Sequence, residues 1–204
     1  MPTLDELLQR SASFHQHLCP RQVLGVRMGL LAGLWLGLDV PRDDKRLLTF
    51  VETDGCAADG VSAATGCRVG GRNLRVIDFG KVAATFVDTL TGCAVRIVPA
   101  PLSRDLAWDY APGARNKWQA QLIGYQRMPD DQLLIAQAVV LTVSLEKLLS
   151  KPGYRVNCQI CGEEIINERE IVHEGTVLCR ACAGESYCQP VSERVSLSMG
   201  VRLP

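Results

Sequence analysis

The chain has 204 residues, 47% of them hydrophobic and 22% charged, with lysine plus arginine equal to aspartate plus glutamate at 22 each. Such a composition supports a buried core, excludes global disorder, and gives no bulk electrostatic drive toward nucleic acid or an anionic membrane. The opening decapeptide MPTLDELLQR carries acids and no long apolar run, so no secretory signal is expected.

The longest apolar runs, 28–38 and 133–145, fall short of the roughly 20 residues a membrane-spanning helix needs. No membrane association is expected, and the location is expected to be cytoplasmic. Nine cysteines there point to metal or redox chemistry rather than to a disulfide framework.

In LDELLQRSASFH the apolar residues fall at positions 4, 7, 8 and 14, a loosely helical pattern with Thr3 as its N-cap. Pro20 suits the first turn of the next helix, RQVLGVRMGLLAGLWLGL, which is rich in leucine and glycine and reads as largely buried. Residues 39–46 form a charged turn around Pro41. LLTFVET reads as a strand and CAADGVSAATG as a short helix closed by Gly66. NLRVIDF, KVAATFVDT and CAVRIVPA are three further strands, β-branched and bounded by glycine, threonine or proline.

Residues 108–126 are mixed in pattern, and Pro129 opens a helix over DDQLLIAQAVVLTVSLEKLL that stops near Ser150. Strands flanked by helices, without regular βα alternation, predict an α+β fold with a mainly antiparallel sheet. Lys151-Pro152-Gly153 marks the boundary between a core domain, 1–151, and a zinc-binding domain with its tail, 152–204. GVRMGLLAGLWLGL and LLIAQAVVLTVSL offer more apolar surface than a core of about 150 residues hides, with Trp35 at a seam, so a homodimer is expected.

The C-terminal segment holds Cys158 and Cys161 in CQIC, then 17 residues, then Cys179 and Cys182 in CRAC. Two Cys-x-x-Cys pairs at this spacing are the pattern of a tetrahedral Zn²⁺ site, each pair presenting two sulfurs to one metal. Gly162 suits the tight knuckle after the first pair. A helix starting at RACAGESY would give a treble-clef-like unit. So short and polar a module folds with its metal or not at all. His173 and Cys188 are surplus to four thiolates, and Arg155, Arg169 and Arg180 against six acids make a poor phosphate-binding patch, so nucleic acid is not the expected partner.

His15, His17 and Cys19 stand at alternate positions near the N-terminus. In an extended segment they share a face, whereas in a helix the two imidazoles diverge. Pro20 disfavours helical geometry at Cys19 and places that thiol beside a helix N-terminus, an environment suited to metal ligation or nucleophilic chemistry. A buried cysteine flanked by two surface histidines is the alternative reading of the same spacing.

FHQHLCPRQVLGVRMG, VETDGCAADGVSAATGCRVGGRNL and DFGKVAATF together resemble the FmdE family, named for a formylmethanofuran dehydrogenase. Its pattern is Phe-His-Gly-His-x-Cys-Pro-Gly, then Glu-x-x-x-Cys-x-x-Asp, Thr-Gly-Cys-Thr and Gly-Lys, and the match runs from about Leu4 to Leu149. The zinc module is similar to the C-terminal module that many members carry.

The resemblance implies a cleft lined by His17, Cys19, Cys56, Asp59, Cys67 and Lys81, with His15 outside them. Gln16 and Arg21 replace the glycines of the first motif, and Arg68 replaces a threonine. Cys56 and Cys67 are eleven residues apart, about 16 Å along an unbroken helix and too far to share an ion, unless Gly66 breaks the helix and folds Cys67 back. His17, Cys19 and Cys56 are therefore the favoured ligands of a second transition metal, zinc or similar, with Cys19 and His17 as the catalytic candidates if chemistry occurs there. Asp59, Cys67, Lys81 and His15 are then ligand-binding candidates.

The family name implies association with a molybdenum or tungsten enzyme, while the chain has no iron–sulfur run or pterin-sized glycine-rich fold of its own. Three functions stay open: a metal-binding accessory protein or subunit partnered by molybdoenzyme subunits, a stand-alone metal- or cysteine-dependent enzyme acting on a small ligand, and a zinc-finger regulatory protein. Balanced charge disfavours the third.

Overall fold

The computed structural model describes residues 2–14, 17–149 and 153–189. His15 and the boundary residues Ser150, Lys151 and Pro152 lie outside the described residues. The chain divides into two compact units, Met1–Leu145 and Glu146–Pro204.

Helix α1, Leu4–Ala12, begins where expected, at Thr3. The Thr3 hydroxyl accepts from the Glu6 amide, and the Thr3 amide donates to the Glu6 carboxylate at 2.7 Å, so two otherwise orphaned donors are satisfied. Helix α2, Pro20–Leu36, starts on its proline and ends at Gly37, whose φ of 64° closes the last turn. Strand β1 (Leu47–Val51) leads into helix α3 (Cys56–Thr65), and β2 (Leu74–Val76) returns parallel to β1. Strands β3 (Ala84–Asp88) and β4 (Ala94–Pro99) then form an antiparallel hairpin beside β1. Helices α4 (Ser103–Leu106), α5 (Lys117–Arg127) and α6 (Asp130–Leu133) follow.

The helix expected over residues 130–150 is the main correction. Only its first turn, α6, is helical; Leu134–Val139 is strand β5, and a short helix α7 resumes at Leu145–Leu149. A continuous apolar run fits helix and buried strand equally on periodicity. The free edge of β4, whose backbone donors and acceptors need partners, decides for the strand. β5 pairs antiparallel along it from Ala94↔Val139 to Pro99↔Leu134. The sheet order is β2-β1-β3-β4-β5, antiparallel except for β1–β2. The fold class is α+β with a mainly antiparallel sheet.

Helix α2 is the hub of the core unit. Val23, Val26 and Met28 are buried with Leu47, Phe86, Val95 and Ile97 of the sheet and Tyr125, Met128 and Leu133 beyond it. Arg27 bolts it to the α5–α6 segment: one guanidinium nitrogen donates to the Tyr125 carbonyl, the other to the Met128 carbonyl and to Asp130, all at 2.7 Å.

Between α2 and α3 there is no room for side chains. A Cβ on Gly25 would sit 2.2 Å from the Ala57 carbonyl oxygen, and one on Gly60 2.3 Å from that of Gln22. Gly25 faces Gly60 while Gly29 faces Ala64, so the two helices run parallel in backbone contact.

The second unit has two hairpins, β6 (Arg155–Asn157) with β7 (Glu164–Ile166) and β8 (Ile171–His173) with β9 (Thr176–Leu178). A single π-helical turn, Ala181–Glu185, stands at the place of the expected treble-clef helix. Its small core is Cys158, Ile165 and Leu178. Among the described residues no helix is long and apolar enough to cross a membrane.

Replacing Gly25 by alanine should force backbone against backbone at the α2–α3 contact. Denaturant unfolding should show a loss of about 3 kcal/mol or more, the upper range for overpacking. Gly70→Ala, where nothing lies within 4 Å, should stay within about 0.5 kcal/mol of wild type. Equal stability of the two variants would refute the close approach.

Candidate metal centres

The four C-terminal cysteines converge as their spacing predicts. Each offers its sulfur, and all four sulfurs lie within 4.8 Å of one another. The Cys161 and Cys179 sulfurs are 3.9 Å apart, close to the edge of about 3.8 Å of a tetrahedron with metal–sulfur bonds of about 2.3 Å. The β6–β7 turn sets the first pair: the Cys158 amide donates to the Glu163 carbonyl and the Gly162 amide to the Cys158 carbonyl, both at 2.9 Å. After β9 the Cys182 amide donates to the Cys179 sulfur at 3.4 Å.

Backbone amides of Cys161 and Cys179 stabilise the Cys158 thiolate and hold its pKa down to about 6. Cys182 is pushed up to about 12 by its hydrogen bond to Cys179, by burial and by the adjoining sulfurs. Four thiols in one place cannot all ionise beside one another, and a bound cation removes that conflict. The cluster can therefore hold a metal ion. His173 and Cys188 are not part of it.

In the core, Cys19 is extended at the N-cap of α2, with φ −127° and ψ 161°, as Pro20 requires. Cys56 is the first residue of α3. Because the helices run parallel through Gly25 and Gly60, their N-termini lie side by side, and the Cys19 thiol is close enough to perturb that of Cys56. Burial pushes the Cys56 thiol up, and the Cys19 sulfur and the charge of Asp59, one turn along α3, push the same way. These outweigh the pull of the Cys56 backbone amide on a thiolate.

His17 is exposed two residues before Cys19. Among the described residues, the C-terminal cysteines are the group of three or more ligating side chains that share one site, so the core geometry brings together Cys19 and Cys56 but not His17 as a third close ligand. Lys81 is exposed, its ammonium 6.0 Å from the Phe79 ring centre.

Cys67 departs from its expected place. It is fully buried at the far end of α3, beyond Gly66, with its thiol donating to the Leu47 carbonyl at 3.3 Å and accepting from the Thr49 hydroxyl at 3.4 Å. A ten-residue helix separates it from Cys56, about 15 Å. It packs the base of β1 and does not face the Cys19–Cys56 pair.

Two residues shape the cleft that motif reading passed over. Buried Gln22 accepts from the Cys19 amide at 2.8 Å and donates to the Ser11 carbonyl at 2.9 Å, locking the segment before α2 to the end of α1. Its position three residues after the N-cap is the capping-box position, a signal the sequence carries. Glu52, the glutamate of Glu-x-x-x-Cys, is gripped by Arg96 through two bonds of 2.6 and 2.7 Å. Its carbonyl receives the Phe79 and Lys81 amides at 2.9 and 3.1 Å, which hangs the Gly80-Lys81 loop on the strand leading to Cys56.

Residues 14–145 match the model of the family described as FmdE, molybdenum formylmethanofuran dehydrogenase operon. A probable S-adenosyl-L-methionine-binding protein of Archaeoglobus fulgidus is 27% identical over 206 aligned positions, covering 90% of this chain. The chain spans about half, 54%, of that curated relative's length. The crystal structure of a tungsten formylmethanofuran dehydrogenase FmdE-like protein from Syntrophus aciditrophicus has the same fold, with a TM-score of 0.59 at 24% identity over 92% of this chain and 96% of that one.

Protons and metal compete for the C-terminal sulfurs, so affinity for added Zn²⁺ should fall as pH is lowered. It should fall more steeply below about 6, where Cys158 takes up its own proton. Competition titrations on the full chain carrying Cys19→Ser would measure this. An affinity unchanged between about pH 8 and about pH 5 would exclude thiolate ligation.

Proposed function

The chain belongs to the FmdE family, and from that premise we propose that it is a cytoplasmic metal-binding accessory protein, a subunit-type partner of a molybdenum or tungsten dehydrogenase. The observation that carries the proposal is the pair of thiols, Cys19 and Cys56, set against each other at the N-termini of two parallel helices. They are the sulfur ligands of a core metal, zinc or another late transition metal with a preference for nitrogen and sulfur, and His17, which lies outside the close thiol pair, would have to turn in to serve as the third ligand. With three protein ligands it keeps an open position, and when bound it acts as a Lewis acid toward a small ligand.

Asp59, Lys81 and His15 would be the residues that contact that ligand. The C-terminal cluster takes zinc as a structural ion, because four thiolates at tetrahedral separations leave no open position.

Two names support this choice of partner. The family description ties its members to a molybdenum formylmethanofuran dehydrogenase operon, and the Syntrophus protein is named for its likeness to a component of the tungsten enzyme. The chain also pairs with a second copy of itself. Leu34, Trp35, Ile135 and Val140 leave large apolar side chains exposed on α2 and around the β5 edge, surface that a twofold partner would cover.

The two sites respond oppositely to loss. The core site sits on elements that fold without it, whereas in the zinc module metal binding and folding are one equilibrium. A His17→Ala, Cys19→Ser double variant should therefore carry about one metal ion fewer per chain by elemental analysis, keep a melting temperature close to wild type, and retain the C-terminal ion. Unchanged metal content would refute the core site, and collapse of the whole fold would make the segment a structural clamp instead. Light scattering on the same samples should return twice the chain mass of 22.3 kDa; a monomer would refute the pairing.

A further inference from the structure

A cleft of 430 Å³ opens beside the first turn of α2, walled by α4 and α5 and by Val82 and Pro99. Three cationic side chains from three separate elements line it: Arg21 on α2, Arg104 on α4 and Lys117 on α5. Among the described residues no aspartate or glutamate lines it. Four other arginines of the core unit show the contrast. Arg27, Arg42, Arg46 and Arg96 are each paired with a carboxylate at 2.8 Å or less. Among the described residues, Arg21, Arg104 and Lys117 form no such pair.

In a chain of formal net charge zero, three like charges around one concavity repel one another unless an anion sits among them. Arg21 makes the point more specific, since it stands where the FmdE pattern has a glycine. The cleft also offers more than charge. Trp118, 51% exposed, presents a flat apolar face, Gln121 adds an amide, and the Tyr125 phenol lies near Ser103 and Arg104. The first turn of the 17-residue α2 points its positive dipole end to the same side.

We propose that this cleft is a binding site for a small organic anion, its phosphate or paired carboxylates held by Arg21, Arg104 and Lys117 and its planar part resting on Trp118. Arginine matches both headgroups through paired donors, and lysine adds a point charge. An indole face accepts a flat group at little cost in ordering. The wall includes Pro20, the residue after Cys19, while neither Cys19 nor Cys56 lines the cleft. The binding rests on the cations and is independent of any metal at that pair.

Titration of the full chain with inorganic pyrophosphate and separately with citrate, followed by tryptophan fluorescence and calorimetry, tests this. At least one probe should saturate, and binding should weaken by about tenfold or more when salt rises from about 50 mM to about 500 mM. Arg104→Gln with Lys117→Gln should lower affinity by about tenfold or more, the loss expected from removing two charge-assisted contacts. Arg10→Gln, on an exposed position of α1, should change nothing. Trp118→Phe should remove the fluorescence change while calorimetry still reports binding. Saturation by pyrophosphate alone assigns phosphate, and by citrate alone assigns carboxylates. Saturation by neither, or an equal loss in Arg10→Gln, would overturn the proposal.

Discussion

Helices α2 and α3 lie against each other with no side chain between them, because Gly25 meets the Ala57 carbonyl and Gly60 meets that of Gln22. The rest of the core depends on this contact. Helices at ordinary separation stand about 8–10 Å apart, and a side chain at either crossing position would lift α3 away from α2. The parallel direction brings both N-termini to one end, and with them Cys19 and Cys56. Gln22 and Glu52 then hold the two approaches, one from α1 and one from the Gly80-Lys81 loop. The same helix, through Arg27, fixes the α5–α6 segment and so one wall of the cationic cleft.

The two groups of thiols differ in how they are assembled. In the C-terminal unit the sulfurs sit on hairpin turns whose hydrophobic core is Cys158, Ile165 and Leu178, too little to order it alone. A metal bound there would be bound in the same step as folding. In the core, the sulfurs are positioned by a sheet and three helices that are already packed, so nothing in the fold depends on an ion. Electrostatics follow the same division. Cys158 is held down by amides aimed at it, while Cys56 is pushed up by burial. A cation would matter at both places, for stability in one and for ligand binding in the other.

Local features of this chain are legible in its sequence, and long-range ones are not. Thr3 with Glu6, Pro20, Gly37 and Gly66 mark helix ends through interactions spanning four residues or fewer, and each stands where the pattern puts it. The four C-terminal cysteines are legible for the same reason, since each pair shares one knuckle. Strand β5 is not, because its backbone conformation is decided by the open edge of β4, a partner about 40 residues earlier. Cys67 misleads because its motif places it beside Gly66 without saying which way the chain turns there; the turn takes it into the core under Thr49. The Cys19–Cys56 pairing spans 37 residues and needs the glycine contact to be seen. The cationic cleft draws on three elements, none of which is unusual alone.

If the Cys19–Cys56 pair is a metal centre separate from the C-terminal one, anomalous diffraction from crystals of the full chain, recorded at the absorption edge of the metal it carries, will reveal it. Two peaks per chain are predicted, one about 2.3 Å from the sulfurs of Cys158, Cys161, Cys179 and Cys182 and one about 2.3 Å from those of Cys19 and Cys56. A map with the C-terminal peak alone, in crystals grown with excess metal, would rule out the core centre.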